Sequence, residues 1–260
     1  MHDIADGKKE RRQRDLLRRL EANSYLSLED IVELYGVNAQ TARRDIIALE
    51  QGGHARRLHG GMTIARSISL STLQQRRVDN ALAKEKIAQV TARLIPEDAS
   101  LFLDTGTTCE AVAAALSGHA RLRVLTYSLR SANILCNNAD FVVAIPGGFV
   151  RPGDSGVYGE NTPDFIKRFK FDYAIVSVSG VDTDGNMGDD EPGEVSTVRA
   201  AMAQSAKTIL AVDHSKFGHT GMVQLGSVKD VDMIVCERMP PEEFHPIFSK
   251  NDLDVHIPTG

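Results

Sequence analysis

The chain has 260 residues, 42% of them hydrophobic, which is ample for a real core in one large or two ordinary domains. Its formal charge of −5 excludes a protein that coats nucleic acid along its whole surface, and no apolar run reaches the roughly 18 residues of a membrane span. The polar N-terminus carries no signal-peptide apolar stretch, and Cys109, Cys136 and Cys236 are scattered without CxxC spacing, so the expectation is a cytoplasmic protein with small, buried, reduced cysteines.

The first helix is expected over about Lys8 to Glu21, with Leu16, Leu17 and Leu20 as its apolar stripe. A second opens at Ser27, where Asp30 completes a capping box and Leu26 staples against Ile31, and it runs to about Leu34. Tyr35-Gly36-Val37 is a tight turn, and Asn38 caps a third helix reaching Glu50. At about 100° per residue, Ala42, Ile46 and Leu49 fall on one side of that helix and Gln40, Arg43, Arg44 and Ile47 on the other. Such a helix docks inward while offering an Arg/Gln surface and a polar first turn, as a recognition helix in the DNA major groove does. Gln40, Thr41, Arg43 and Arg44 are its candidate contacts; the alternative is an amphipathic helix whose arginines are merely solvated.

Beyond Gly52-Gly53, residues 54–61 are bounded by glycine pairs like a two-stranded wing, with Arg56, Arg57 and His59 as candidate sugar-phosphate contacts, against the plainer reading of a solvated loop. Positive charge clusters locally, in Lys8 to Arg19, Arg43-Arg44 and Arg56-Arg57, and not over the whole N-terminal region. The divisions expected are a winged helix-turn-helix domain over 1–62, a Ser/Thr/Arg/Gln-rich linker over 63–80, and a second domain over 81–260.

That second domain opens on a helix from Lys84 to Ile95, closed by Pro96. Short apolar strands then alternate with helices: strands at 100–103, 124–127, 141–145, 173–177, 208–212 and near 233–236, helices near 110–117, 129–137, 163–169, 195–206 and 242–250. Continuous apolar strands joined by crossover helices specify an α/β fold with an open, mostly parallel sheet covered on both faces. Ligands in such sheets bind outside the carboxyl ends of the strands.

Four turns lie at such ends. Asp104-Thr105-Gly106-Thr107-Thr108 combines hydroxyls, a glycine and a helix start, an anion cradle unless it is a simple capped turn; it lacks the GxxxxGK[ST] spacing of a P-loop. Ser128 follows a strand and enters a helix, Gly147-Gly148 lets backbone approach a ligand, and Lys216 can face a phosphate or pair internally with Asp213. Together they suit a small phosphorylated metabolite. Asp182-Thr183-Asp184-Gly185-Asn186 resembles a calcium loop, but Met187 and Gly193 stand where that loop needs Gly and Glu. Asp213, His214 and His219 have no completing cluster, so neither metal nor cofactor is expected.

Gln40-Thr41-Ala42-Arg43-Arg44-Asp45, Leu49-Glu50 and His59-Gly60-Gly61 resemble the DNA-binding signature of the DeoR family of bacterial repressors. Asp104 to Thr108, Phe171-Asp172, Ser179 to Asp182 and Asp213 to Gly218 resemble its phosphosugar-sensing domain. Asn38-Ala39 departs from the Ser-Pro common at the helix start, and Tyr127 from the Asn common before Ser128. The resemblance implies operator DNA as partner, a sensor of ribose-5-phosphate-isomerase-like fold over 81–260, a homo-oligomer (dimer or tetramer), and Glu194 as a further effector contact. Thr107 to Ala113, Thr162 to Ile166 and Met222 to Ser227 are most similar to members that answer to glycerol 3-phosphate, which implies that effector; a different sugar phosphate is the alternative. An enzyme using Glu194 and Lys216 for proton transfer is a further alternative, set against the helix-turn-helix, which an isomerase does not need. No catalytic residue is therefore assigned.

Overall fold

The computed structural model describes residues 3–23, 25–51, 55–58, 61–64, 75–159 and 161–258. They belong to two compact units, Met1–Ile68 and Ser69–Gly260.

The first unit holds α1 (Asp3–Asn23), β1 (Tyr25–Ser27), α2 (Leu28–Tyr35), α3 (Ala39–Gln51), β2 (Ala55–Leu58) and β3 (Gly61–Ile64). The capping box forms as the sequence predicts: Asp30 N–H donates to Ser27 Oγ at 3.0 Å, and Ser27 N–H to the Asp30 carboxylate at 2.9 Å. Gly36, in the left-handed region at φ 59°, ends α2, and Asn38 Oδ1 accepts from Thr41 N–H at 2.8 Å to start α3. Leu16 and Leu20 of α1, Ile31 of α2, and Ala42, Ile46 and Leu49 of α3 bury together with Leu26, Ala55 and Met62. β3 lies between β1 and β2 in an antiparallel sheet, with Met62 opposite both Leu26 and Arg57. β1 is absent from the sequence-based expectation because three residues are too few to display an alternation.

α1 and α3 are also joined by charge. Asp45, 1% exposed, accepts from Arg12 Nε at 2.5 Å and from Gln13 Nε2 at 3.1 Å. A carboxylate so deep in a small core is tolerable only because it is paired and hydrogen-bonded.

The second unit is built on a seven-stranded sheet in the order β15-β14-β12-β9-β4-β5-β6, comprising β4 (Ser100–Leu103), β5 (Arg123–Thr126), β6 (Val142–Ala144), β9 (Phe171–Val176), β12 (Ser205–Ala211), β14 (Met233–Val235) and β15 (Asp254–His256). Every neighbouring pair is parallel. Side chains alternate between two cores: Leu101, Leu103, Ile175 and Ile209 point into one, with Ile87 of α4 (Ala81–Arg93) and Val112 of α5 (Thr107–Ala115). Phe102, Ala174, Val176 and Leu210 point into the other, with Val195 and Val198 of α8 (Pro192–Met202) and Phe248 of α9 (His245–Lys250). The remaining helices are α6 (Leu129–Leu135) and α7 (Thr162–Ile166). Burial on both faces is why these strands read as continuous apolar runs.

Two small additions had no visible signal. β7 (Phe149–Val150) pairs with β8 (Val157–Tyr158), and β11 (Asn186–Asp189) lies between β10 (Gly180–Val181) and β13 (Val223–Ser227). The sequence that resembled a calcium loop is the β10–β11 turn, where Asp182 Oδ1 accepts from Asp184 N–H at 3.0 Å and Asn186 N–H at 2.8 Å. Residues 75–80, read as the end of a linker, pack within the second unit and begin with a helical turn. Cys109 and Cys236 are buried, but Cys136, expected inside, is exposed just past the end of α6; all three are free. No described helix is long and apolar enough to cross a membrane.

Removing Asp45 strands the Arg12 guanidinium at a site where its side chain is only 17% exposed. Asp45→Ala is expected to destabilise the first unit by about 2–3 kcal/mol. Urea unfolding followed by hydrogen exchange in α1 and α3 measures this, and an unchanged midpoint would show that core packing alone positions α3.

Candidate functional site

On α3, burial follows the helical period through Ala42, Asp45, Ile46 and Leu49, which leaves Gln40, Arg43 and Arg44 exposed and Thr41 half-buried. Neither Arg43 nor Arg44 forms an ion pair among the described residues, so both guanidinium groups remain available. The α1 cluster is less available than its sequence implied: Arg12 is taken by Asp45, and Arg19 Nε pairs with Asp15 at 3.0 Å. The backbone of β2 carries Arg56 and Arg57 opposite Thr63 and Met62, while His59 lies outside the described residues.

In the second unit, chain order reverses between β4 and β9: β4, β5 and β6 run toward one edge, and β9, β12, β14 and β15 toward the other. Connections leave such a switch point in opposite directions and open a crevice at the strand ends. Asp104, directly after β4 and 3% exposed, sits there. Its carboxylate accepts from Thr105 N–H at 2.8 Å, from Ser177 N–H beyond β9 at 3.1 Å, and from the Tyr127 hydroxyl beyond β5. Burial pushes its pKa up to about 7 against the pull of these bonds.

Gly106 then takes φ 107°, closed to most side chains, and begins α5; a Cβ there would meet no neighbour within 4 Å. Thr107 and Thr108 in the first turn are 8% and 4% exposed, and the neighbouring Thr105 hydroxyl is buried without a hydrogen-bond partner among the described residues. Ser128 is fully buried, and its hydroxyl caps α6 by accepting from Ser131 N–H at 3.2 Å. At Gly147 nothing lies within 4 Å of an added Cβ, whereas at Gly148 it would strike the backbone carbonyl of Tyr158, so the β7–β8 hairpin occupies that space.

Glu194, in the first turn of α8, accepts from Arg151 and, at 3.0 Å, from the Tyr158 hydroxyl. Arg151 also binds Asp154, with Nε at 2.9 Å from Oδ1, and stacks 4.4 Å from the centre of the Tyr158 ring. Burial first, then the charge of Asp189, raises Glu194 to about 7, against the opposing pull of Arg151. Asp104 and Glu194 have ordinary values of 3.8 and 4.5, so each takes up a proton on folding between those values and about 7. Their contribution to stability is present at low pH and is lost as pH rises through that window.

The cations come from elsewhere. Lys216, in a 3-10 turn after β12, is half-buried, and its ammonium has no hydrogen-bond or ion-pair partner among the described residues. Burial, then Arg76, lowers its pKa, and Asp213 opposes this. Asp213 does not pair with it directly: its carboxylate accepts from Ser215 N–H at 3.0 Å, from the Ser215 hydroxyl, and from Asn80 Nδ2 at 3.2 Å. Lys84 is 7% exposed and lowered chiefly by burial, with Arg76 adding to the effect. Arg76, Arg77 and Lys84 were not singled out as site residues from the sequence: Lys84 lies in the first turn of α4 and the two arginines in the helical turn before it, and composition made 75–80 look like linker.

Residues 12–68 match the DeoR-like helix-turn-helix domain, and residues 79–238 match the DeoR C terminal sensor domain. The chain is 36% identical over 250 residues to the glycerol-3-phosphate regulon repressor of Escherichia coli (strain K12), spanning 96% of this chain and 99% of that protein. It is 40% identical over 229 residues to the glycerol-3-phosphate regulon repressor of Haemophilus influenzae, spanning 88% of this chain and 89% of that one. Identity to the HTH-type transcriptional repressor CsqR of Escherichia coli (strain K12) is 33% over 247 residues, 95% of each chain. Among solved structures, ribose 5 phosphate isomerase A from Neisseria gonorrhoeae aligns with 52% of each chain at 18% identity and a TM-score of 0.39. With both domain models matched and relatives 36–40% identical over most of its length, this chain belongs to the DeoR family of DNA-binding transcriptional repressors.

Proposed function

We propose that this repressor grips operator DNA through α3 and the β2–β3 wing and releases it when glycerol 3-phosphate occupies the strand ends of the sensor unit. Operator contacts are assigned to Gln40, Thr41, Arg43, Arg44, Arg56, Arg57 and His59. Effector contacts are assigned to Asp104, Gly106, Thr107, Thr108, Ser128, Gly147, Gly148, Glu194 and Lys216, with 1–62 as the DNA-binding domain and 81–260 as the sensor. The observation that carries the effector assignment is Lys216, a half-buried ammonium without a partner among the described residues, which feels the charge of Arg76, the residue whose backbone oxygen accepts from Thr107 in the first turn of α5. A phosphate supplies what such a lysine lacks, and the free N–H groups of a helix start add donors. The buried carboxylates Asp104 and Glu194 suit the hydroxyls of a polyol. The names of the relatives support glycerol 3-phosphate in particular.

The protein acts in the cytoplasm as a dimer or tetramer, since two-fold operators demand paired recognition helices. Val142 on the edge strand β6, 64% exposed, and Phe149 in the following hairpin, 86% exposed, offer apolar surface for that assembly.

Arg44→Ala is expected to weaken operator binding by about 1–3 kcal/mol and relax preference at one base pair, as loss of a base contact does. Arg57→Ala should weaken binding evenly across sequences and flatten the salt dependence, as loss of a phosphate contact does. Anisotropy titrations on operator and scrambled duplexes separate the two behaviours, and unchanged affinity in both variants would remove this face from the interface.

Thr107→Ala and Lys216→Ala are expected to bind operator normally but to need about tenfold to hundredfold more glycerol 3-phosphate for release. Titrating the operator complex with glycerol 3-phosphate and with glycerol tests the assignment. Equal release by glycerol, or unaltered induction in both variants, would refute the phosphate site; release only by another sugar phosphate would reassign the ligand within it.

A further inference from the structure

Residues 75–80 end the covalent path that leads from the DNA-binding unit into the sensor unit, and they are pinned to the strand-end site at several points. Lys84 Nζ donates to the backbone oxygen of Arg76 and, at 2.7 Å, to that of Asp79. The Thr107 hydroxyl donates to the same Arg76 oxygen at 3.4 Å. Arg77 donates twice to Glu110 of α5, at 2.8 and 2.6 Å, and Asn80, at φ 55°, reaches Asp213 at 3.2 Å and Ser215 at 3.3 Å. Apart from Lys84 of α4, these anchors belong to the first turn of α5 and the turn after β12, the two turns assigned above to the effector.

The Arg76 guanidinium is exposed and has no ion-pair partner among the described residues, yet its charge reaches Lys84, Lys216 and Asp189. Three cations that repel one another are relieved by a dianion placed between them. The Thr107 hydroxyl has one proton to give, so it serves either the Arg76 carbonyl or a bound phosphate, not both. Its present bond is long and weak, which makes the exchange easy.

We propose that residues 75–80 form a strap that reads the effector: Arg76 joins Lys216 on the phosphate, Thr107 transfers its hydrogen bond from the strap to the ligand, and the rearranged strap carries occupancy toward the DNA-binding unit. This rests on the strand ends being the phosphate site. A ligand shifts such an equilibrium only through contacts that differ between the two arrangements, and the Thr107 exchange and the Arg76 contact are two such differences.

The test uses the full chain. Thermal shift with inorganic phosphate reports the anion site, and operator anisotropy with and without saturating glycerol 3-phosphate reports coupling. Arg76→Ala is expected to weaken phosphate and glycerol 3-phosphate binding by about tenfold to hundredfold while leaving operator affinity unchanged. The double variant Arg77→Gln/Glu110→Gln removes an anchor without leaving a lone buried carboxylate. It should keep effector affinity within about threefold, while the factor by which saturating effector weakens operator binding falls about tenfold. Full anion affinity in Arg76→Ala, or wild-type release in the double variant, would overturn the strap. Phosphate binding by the wild type without release by glycerol 3-phosphate would overturn only the effector's identity, and Arg76→Ala in the phosphate arm then decides the strap. Binding of neither would overturn both.

Discussion

The sensor unit is organised around one carboxylate, because Asp104 ties three strand ends together where the sheet changes direction. It holds Ser177 beyond β9, Tyr127 beyond β5 and the amide of its own neighbour Thr105. A parallel sheet leaves the strand termini at a switch point without ladder partners, and a side chain that satisfies several donors at once closes the crevice floor without filling it. The cost is a carboxylate so far from water that its pKa climbs to about 7 despite three hydrogen bonds. An apolar residue at 104 would leave the Ser177 amide and the Tyr127 hydroxyl without this acceptor, so the burial penalty is smaller than the disorder it prevents.

Around that floor the charges separate into two groups. Arg151 satisfies Asp154 and Glu194 within a compact network that Tyr158 covers. Lys216, Lys84 and Arg76 form the other group, and there the carboxylate of Asp213 is already engaged by Ser215 and Asn80. One side sets a single guanidinium against two carboxylates, whereas on the other Lys216, Lys84 and Arg76 repel one another while the charge of Asp213 draws on both lysines.

The DNA-binding unit solves a similar problem with fewer residues. Among the described residues nine apolar side chains are buried in its core, and Asp45 adds a directional tie between α1 and α3 that apolar packing lacks. The rotation of α3 decides which of its side chains face outward, so a bond that fixes that rotation matters more than its energy alone implies. Arg12 and Arg43 look alike in sequence, yet one is an ion-pair partner and the other stands exposed with no ion pair among the described residues.

Much of this was legible beforehand, and for local reasons. The Ser27–Asp30 box, the Gly36 turn, the Asn38 cap and the helical period of α3 depend on residues within a few positions of one another, and each formed where the residues placed it. The parallel sheet was legible because strands buried on both faces leave unbroken apolar runs. Two-residue strands such as β7 and β10 left no trace, since neither period nor propensity can be expressed over so short a span. The exposed position of Cys136 was equally hidden, because it depends on which face α6 turns outward. By itself, then, the sequence determined the capped helices, the alternating strands and the glycine turn that opens α5 after β4. Tertiary structure alone decided that Asp45 captures Arg12 and that residues 75–80, polar enough to pass for a linker, lie against Thr107 and Glu110. Those outcomes rest on contacts between residues tens of positions apart, and composition carries no record of which polar group will meet which.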